Sequence, residues 1–488
     1  MPATSTTCHL RSVTAASVFI EKVFIRSIPK TLETRQGLIF GGPRGVKVFH
    51  HDMMGDRRPL VRGRERKAFG AYYTPAALVE AALAELPAPG PRIADLSCGE
   101  GVWLEAAGRR WPQSVLTGVD VDGEALDVAR GRVAGRFVEG DGARFHGVFD
   151  CVVGNPPWGA GRVGNVRRGA ESVSAFVDAA VDNLAPGGRL CLLVPAAWLE
   201  VAAHAAARRR LCARAALERL AHLGDVFAGV NAPAALVIAR REPDAAARAR
   251  QIVATPRGPV AQAELLRDPE CALNARLTPA ERALAARLAE HRERLAGRVR
   301  FILGVVTGDN GRALSDGPGR ADEGEPIVTG RDVAPMRIAT PRRRLCVPLE
   351  RVQQAAPRQA YARHKVVYRF VAAHPVAAVD RGGRLTLNSA NAFAFDDDLG
   401  FGRDGLDFVA AWLNSSTARW LHRARFAMPR VLRSHLERLP LPSTTSDARR
   451  AIVAAALAGD TGALDSHVMD AYRLDDEERT LVQAWPRS

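Results

Sequence analysis

The residues with the clearest chemical potential lie in the segment FDCVVGNPPWG, at 149–159. Its first half is apolar and predicts a buried strand. That strand must end at Pro156 and Pro157, because proline fixes φ and donates no backbone hydrogen bond. An amide, Asn155, and a large aromatic ring, Trp158, flank the prolines. The segment therefore predicts hydrogen-bond acceptors and a stacking surface at the end of a buried strand.

These groups suit a reaction at the exocyclic amine of a nucleic-acid base. The lone pair of such a nitrogen is delocalised into the ring, so the nitrogen is a poor nucleophile. The side-chain carbonyl of Asn155 and the main-chain carbonyl of Pro156 could accept hydrogen bonds from its two N–H groups. These hydrogen bonds would favour a more tetrahedral nitrogen. Trp158 could stack on the base. Orientation and electrostatics would do most of the work, and no His–Asp pair is required or apparent.

A second set of candidates lies at the ends of three predicted strands. The loop DLSCGEG begins at Asp95, and Gly99 and Gly101 would let its backbone approach a ligand closely. Asp120 and Asp141 end the next two strands, where an acid hydrogen-bonds ribose hydroxyls in doubly wound folds. The three carboxylates would line one crevice, although helix capping or turn formation is the alternative explanation for them.

The acidic crevice restricts the kind of cofactor. It contains no lysine and lacks the G-x-x-x-x-G-K-[ST] pattern of a P-loop, so phosphates would be repelled. A neutral or cationic nucleoside is favoured instead. S-adenosylmethionine is one, because it carries a sulfonium and a free ammonium but no phosphate.

Strands that alternate with helices up to Arg241 predict a parallel, doubly wound α/β sheet, with an antiparallel hairpin at one edge formed by 224–241. Its first helix is predicted to follow Thr74, a good N-cap, and Pro75.

Beyond the predicted sheet the pattern changes. An Ala/Arg-rich segment with helical character precedes short strands separated by Gly, Asp and Asn turns, which start near Phe301. A helix is predicted over 406–424. These features predict a second, α+β domain.

The ordered motifs resemble those of the γ-class DNA adenine-N6 methyltransferases, which are Taq-type and type IIG-like enzymes with a C-terminal target-recognition domain. The likeness spans roughly 69–442. GAYYTP and ADLSCGEG look like the cofactor motifs of this family, NPPW looks like its catalytic motif, and GDVFAGV looks like the motif whose aromatic stacks on the flipped adenine. GVVTGDN, VTGRDV, LNSS and LERLPLP are similar to segments of the Taq-type specificity domain.

The resemblance implies a class I S-adenosylmethionine-dependent, Rossmann-like methyltransferase without a metal, and it implies roles for single residues. The catalytic residues would be Asn155, Pro156, Pro157 and Trp158. The cofactor-binding residues would be Tyr73, Thr74, Asp95, Ser97, Gly99, Gly101, Asp120 and Asp141. The rings that stack on the substrate base would be Trp158 and Phe227.

The expected organisation has five parts. They are an N-terminal extension at 1–62, the methyltransferase domain at 63–242, a helical connector at 243–299, a target-recognition domain at 300–445 and a helical tail at 446–488. Met53 or Met54 could be the true start of the chain, which would leave residues 1–52 untranslated.

Charge and composition indicate the partner. The net charge of +15 and the pI of about 10.2 favour a polyanion, although five lysines among 68 basic residues also suggest a codon bias towards arginine. We expect double-stranded DNA, with base flipping, and a separate restriction endonuclease or defence subunits as further partners. Some basic residues of the second domain would contact phosphates or base edges and others would be solvated surface; the candidates are Arg342, Arg343, Arg344, Arg363, Lys365, Arg419, Arg423, Arg425, Arg430 and Arg433. No bilayer-spanning run or signal peptide is seen, so the cytoplasm is expected.

Two other functions stay open at this point. One is a methyltransferase that acts on RNA or on protein glutamine, since N-P-P-aromatic motifs occur there as well. The other is a non-catalytic, DNA-binding subunit of a defence complex with a vestigial methyltransferase fold. The intact NPPW motif argues against loss of activity, and the specificity-like domain argues against RNA or protein substrates.

Overall fold

The computed structural model divides into two compact units, 1–275 and 276–488, and the division falls inside the predicted connector. The described residues are 74–158, 162–163, 166–167, 170–227, 233–316, 324–395, 404–426 and 430–484. The predicted N-terminal extension and Tyr73 lie outside them. None of the helices in these ranges is long and apolar enough to cross a membrane.

The first unit is built on one large sheet. The strands described in this unit are β1 Arg92–Asp95, β2 Val115–Asp120, β3 Arg136–Glu139, β4 Phe149–Gly154, β5 Arg162–Val163, β6 Val166–Arg167, β7 Leu184–Pro195, β8 Ala215–Gly224, β9 Ala234–Arg241, β10 Ile252–Val253 and β11 Val260–Ala261. Seven of them pair in the order β3-β2-β1-β4-β7-β9-β8. β1 to β4 and β7 are parallel, and β9 pairs antiparallel with both of its neighbours, β7 and β8. The predicted doubly wound sheet with an antiparallel edge hairpin is confirmed.

Helices cover both faces of this sheet. They are α1 Ala76–Ala84, α2 Val102–Arg110, α3 Gly123–Arg132, α4 Ala170–Asp182, α5 Ala196–Glu200, α6 Ala205–Arg214, α7 Ala245–Arg250 and α8 Gln262–Leu265. One apolar cluster packs α1 and α2 through Leu83 and Trp103, and a second packs α4 and α6 through Val177 and Leu211. Because both faces are buried, the central strands are almost continuously apolar.

The edge hairpin differs from the prediction in its first strand. The sequence placed the whole hairpin within 224–241, but β8 begins at Ala215. The stretch AALERLAHL is rich in strong helix formers, which hides a strand. Burial against the sheet overrides that preference, since most of β8 is buried.

The start of α1 also differs from the prediction. Thr74 was expected to cap this helix, but the helix begins at Ala76 with Pro75 as N-cap residue and without a side-chain capping bond. The Thr74 hydroxyl instead accepts a hydrogen bond from Asn155.

The second unit combines two small sheets with helices. Its strands are β12 Val299–Ile302, β13 Leu314–Asp316, β14 Glu325–Val328, β15 Val333–Ala334, β16 Arg337–Ile338, β17 Arg343–Leu345, β18 Lys365–Arg369, β19 Ala377–Asp380, β20 Leu385–Thr386 and β21 Ala390–Phe395. One four-stranded sheet has the order β12-β21-β18-β19 and another has the order β13-β17-β14-β20. The predicted α+β class is confirmed for this half.

The helices of the second unit pack in two apolar clusters, and Asn310–Ala313 and Arg358–Ala362 belong to the smaller one. The helices are α9 Pro279–Ala289, α10 Asn310–Ala313, α11 Arg358–Ala362, α12 Gly405–Asn414, α13 Ser416–Arg425, α14 Arg433–Arg438, α15 Ser446–Ala458, α16 Thr461–Ala471 and α17 Asp476–Ala484. The predicted helix over 406–424 is in fact two helices. Ser415 separates them by accepting a hydrogen bond from the Ala418 N–H, as an N-cap does.

Candidate active site

The parallel strands of the first unit end at one edge of the sheet, and most candidate side chains lie there. Asp95 and Asp120 are the last residues of β1 and β2, which pair side by side. Asp141 follows β3 by two residues, and Asn155 follows β4 directly. Strand order alone therefore brings these four polar side chains to one edge.

Asp120 holds the glycine loop in place. Its Oδ2 accepts a hydrogen bond of 2.8 Å from the Gly99 N–H, and its Oδ1 accepts one of 3.0 Å from the Asp122 N–H. Burial raises the pKa of Asp120 above its usual value. Gly99 has a φ of 49°, and no atom lies within 4 Å of where a Cβ would stand. The loop thus presents open backbone at the sheet edge while Asp120 retains lone pairs for a ligand.

Asp95 is the most unusual acid of the site. It is 1% exposed, its Oδ1 accepts the Ser97 N–H at 3.0 Å, and its Oδ2 has no hydrogen-bond partner among the described residues. Burial raises the pKa of Asp95 to about 8, and the negative charge of Asp120 contributes. Gly154 allows this packing, because a Cβ there would lie 2.6 Å from Asp95 Oδ1. Because no cationic group lies within hydrogen-bond distance of it among the described residues, Asp95 favours its protonated form.

Asp141 and Gly101 have local structural functions. Asp141 Oδ1 accepts the Ala143 N–H at 3.0 Å and so starts the short 3₁₀ turn Gly142–Arg144. Gly101 is the N-cap residue of α2, and its carbonyl accepts the Glu105 N–H at 2.8 Å. The capping and turn explanation that the sequence left open for the carboxylates therefore applies to Asp141, and it does not exclude contact with a ligand.

The NPPW segment contacts two other candidate loops. Asn155 Nδ2 donates to Thr74 Oγ1 at 3.2 Å, and Ser97 Oγ donates to the Asn155 carbonyl at 3.5 Å. Ser172 Oγ donates to the Pro157 carbonyl, also at 3.5 Å. The structure thus brings together the segment before α1, the loop after β1 and the end of β4.

The two predicted stacking rings contact each other. Trp158 and Phe227 have ring centroids 5.0 Å apart and an interplanar angle of 88°. Phe227 is 6% exposed, and Trp158 packs against the core on the α4 side of the sheet. Such an edge-to-face contact is favourable in itself. A base could lie between these rings only if they moved apart, so their role in base stacking stays a prediction.

One acid–histidine pair was not anticipated. Glu200 ends α5 and His222 lies on β8, and His222 Nε2 is 3.4 Å from Glu200 Oε1. Both side chains are shielded from solvent. They lie on separate elements, so no local motif could have revealed the pair.

The basic residues of the second unit divide into exposed and structural groups. Arg342, Arg430 and Arg433 are exposed. Lys365 was one of the candidates for DNA contact or solvated surface, and it is neither, because it is 0% exposed and pairs with Asp380 at 2.5 Å. A single lysine in an arginine-rich segment gives no sign of its burial, which depends on the pairing of β18 with β19.

No group of three or more metal-ligating side chains occurs within the residues that the structure describes. The six cysteines in those residues are free thiols, five of them buried. Burial raises the pKa of Cys151 to about 12, which keeps this thiol protonated and unreactive.

Two family models match parts of the chain. A model described as the methyltransferase small domain matches residues 76–202, and a model described as the TaqI-like C-terminal specificity domain matches residues 325–441. The chain thus carries a methyltransferase domain and a TaqI-like C-terminal specificity domain. The resemblance drawn from motif order is confirmed at this level.

Curated relatives match the chain in part. Ribosomal RNA small subunit methyltransferase C of Pseudomonas aeruginosa (strain LESB58) is 33% identical over 111 residues, which is 22% of this chain and 32% of that protein. Type II methyltransferase M.TthHB8I of Thermus thermophilus is 30% identical over 212 residues, which is 38% of this chain and 47% of that protein. The chain therefore spans less than two thirds of either relative.

A solved structure shows a similar fold over both halves. The type IIL restriction-modification enzyme MmeI, solved in complex with DNA, aligns with a TM-score of 0.51 and 11% identity. The alignment covers 88% of this chain and 78% of that chain.

Methyltransferases of this family use S-adenosylmethionine, and the residues present suit that molecule. Its positive charge matches the buried acceptor Asp95 Oδ2, which has no hydrogen-bond partner among the described residues. Its ribose hydroxyls match the remaining lone pairs of Asp120. The open surface over Gly99 would admit the body of the ligand.

Proposed function

We propose that this protein transfers a methyl group from S-adenosylmethionine to adenine N6 at specific sites in double-stranded DNA. The proposed setting is a restriction-modification or phage-defence system in the cytoplasm. One observation carries the proposal. The acceptors of Asn155 and Pro156 follow β4 beside the acidic ends of β1 and β2, in a chain that also has a TaqI-like specificity domain.

The chain would bind the cofactor through its strand ends. When bound, S-adenosylmethionine supplies an electrophilic methyl group. Asp95 would lose its proton and pair with the cationic part of the molecule, while Asp120 would accept from the ribose hydroxyls. The Gly99 loop, held by Asp120, would bring its backbone close to the nucleoside.

Catalysis would rest on orientation of the target amine. Asn155 Oδ1 and the Pro156 carbonyl would each accept one N–H of the exocyclic nitrogen, which localises its lone pair. Pro157 fixes the direction of the Pro156 carbonyl, because the residue before proline is restricted to extended conformations. Preorganised dipoles of this kind typically supply a few kcal/mol each in the transition state.

The specificity domain would select the site. A base within a duplex cannot reach the edge of a sheet, so the target must be flipped out while the rest of the DNA is held. Exposed arginines such as Arg342, Arg430 and Arg433 are suited to phosphate and base-edge contacts. Trp158 and Phe227 would receive the flipped base after they separate.

The comparisons support DNA over RNA. Two similar proteins are named as a type II methyltransferase and as a restriction-modification enzyme in complex with DNA. The ribosomal RNA methyltransferase supports the rival substrate, but that match spans only 111 residues. If RNA were the substrate, the specificity domain would have no function.

The test is product analysis with the full-length protein. Protein and methyl-labelled S-adenosylmethionine are incubated separately with plasmid DNA, ribosomal RNA and a release factor, and the nucleosides or peptides are analysed by mass spectrometry. We expect N6-methyladenine in DNA, confined to one sequence context on sequencing. Label in RNA or protein alone would contradict the proposal. N4-methylcytosine in DNA would retain the amine chemistry but contradict the choice of adenine.

A further inference from the structure

We infer that Thr74 is a positioning residue whose hydroxyl fixes the orientation of the Asn155 amide. The inference rests on the proposed function, because it concerns how Asn155 meets the target amine. Thr74 would act through Asn155 without touching the reacting atoms.

The geometry of Thr74 supports this role. Thr74 is 9% exposed, and its Oγ1 lies 3.2 Å from Asn155 Nδ2, which donates to it. The two residues are 81 positions apart, so the contact exists only in the folded sheet. The hydroxyl makes no capping bond to α1, although its position in the sequence suggests one.

The contact has a chemical consequence for the amide. An asparagine side chain carries an acceptor on one branch and two donors on the other. With Nδ2 directed at Thr74, Oδ1 lies on the branch that points away from Thr74. A rotation of 180° would present N–H groups to the N–H groups of the target amine, which repel each other. In the orientation that the structure shows, Nδ2 donates to Thr74 Oγ1, and this hydrogen bond holds the amide so that Oδ1 stays on the branch that can accept from the substrate.

This role differs from the cofactor contact that the motif resemblance implies for Thr74. A residue that binds the cofactor changes cofactor affinity when it is altered. A residue that orients Asn155 changes the rate of methyl transfer at saturating cofactor and DNA. The two roles are therefore separated by comparing the cofactor Kd with kcat.

The variants are Thr74→Val, which keeps the shape and removes the hydroxyl, and Thr74→Ser, which keeps the hydroxyl. Loss of one neutral hydrogen bond predicts that Thr74→Val lowers kcat by about 3- to 10-fold. The Kd for S-adenosylmethionine, measured by calorimetry, should stay within about twofold by the same reasoning. Thr74→Ser should recover most of kcat. A matched control is Thr117→Val, which removes another buried hydroxyl from the same unit, on β2, and should leave kcat unchanged.

Two results would overturn the inference. One is an unchanged kcat in Thr74→Val, and the other is a weaker cofactor Kd with kcat intact, which would assign Thr74 to cofactor binding.

A spectroscopic measurement keeps the inference testable if the proposed activity fails. Protein labelled with ¹⁵N-asparagine shows side-chain amide signals, and the Asn155 pair is the one absent from Asn155→Ala. Thr74→Val should shift that pair, and Thr74→Ser should leave it close to the wild-type position. An unmoved pair in Thr74→Val would refute the positioning role, whatever substrate the enzyme has. Absence of DNA methylation with a shifted pair would instead refute only the proposed function.

Discussion

Two carboxylates are buried to the same degree, one in each unit, and their surroundings are opposite. Asp380 in the specificity unit is 1% exposed and accepts from Lys365 Nζ at 2.5 Å and from the Arg384 N–H at 2.8 Å. Asp95 in the methyltransferase unit is also 1% exposed but has no cationic partner within hydrogen-bond distance among the described residues. Burial raises its pKa to about 8.

We propose that this difference separates a carboxylate that stabilises the fold from one that binds a ligand. A buried carboxylate that is paired with a cation and hydrogen-bonded has a structural role in the folded protein. A buried carboxylate with an unused acceptor oxygen is destabilising as an anion, and a cationic ligand can remove that cost. The same residue type therefore has a structural role in β19, and we propose a ligand-binding role for it at the end of β1.

The largest expected effect comes from breaking the Lys365–Asp380 pair. Lys365→Met leaves buried Asp380 with only the more distant Arg384 guanidinium, at 3.9 Å, so we expect the free energy of unfolding to fall by about 3 kcal/mol. Urea denaturation followed by tryptophan fluorescence would measure it, since Trp412 and Trp420 are buried in the same unit. Adding Asp380→Leu should recover part of the loss. A change below about 1 kcal/mol would show that the pair is not structural.

Asp95→Asn should have the opposite effect, with little change in stability and a large loss of cofactor affinity. At neutral pH Asp95 favours its protonated form, so the amide is a close substitute and stability should change little. The amide cannot pair with a cation, and we expect S-adenosylmethionine affinity to fall by about 10- to 100-fold. Calorimetry measures this change directly. Unchanged affinity would remove Asp95 from the binding site, and a large loss of stability would make it structural like Asp380.

The pH dependence of cofactor binding sharpens the same point. The pKa of Asp95 is about 8 in the free protein, and a bound cation would lower that pKa, so binding must release a proton. Affinity should therefore rise with pH, by up to about tenfold per unit below pH 8, and level off above it. Asp95→Asn serves as the control, because it retains any titration of the ligand. If log affinity rises equally steeply with pH in both proteins, Asp95 is not the group that releases the proton.

The smallest effect is expected from exposed arginines in the specificity unit. Arg342→Gln and Arg430→Gln should each weaken binding of the proposed DNA target several-fold. Each should also reduce the slope of log affinity against log salt by about 1, since one phosphate contact is lost. Arg450, which is exposed and pairs with Asp447 on α15, provides the control. Slopes equal to wild type would remove Arg342 and Arg430 from the interface.

The sequence predicted the sheet edge well because its polar residues adjoin the strands that place them. Asp95, Asp120 and Asn155 each end or follow an apolar strand, and parallel strands bring their carboxyl ends together. Motif order then suggested the cofactor, and the family models agree with that order.

Other features depend on contacts between distant segments, and the sequence did not reveal them. Thr74 has the sequence context of a helix cap, but its hydroxyl meets Asn155 across 81 positions. Lys365 is buried because β18 pairs with β19 and places Asp380 opposite it. The strand β8 has the composition of a helix, and its strand form comes from the sheet around it.

The central claim is that Asn155 orients the target amine, and a single-turnover assay tests it most directly. Asn155→Ala is compared with wild type on duplex DNA that carries the recognised sequence, with protein in excess and cofactor saturating. We predict that the rate of N6-methyladenine formation falls by about two to three decades, by analogy with loss of one preorganised dipole. Cofactor and DNA affinities should stay within about twofold of wild type. A folded Asn155→Ala protein that methylates adenine at the wild-type rate would contradict the account.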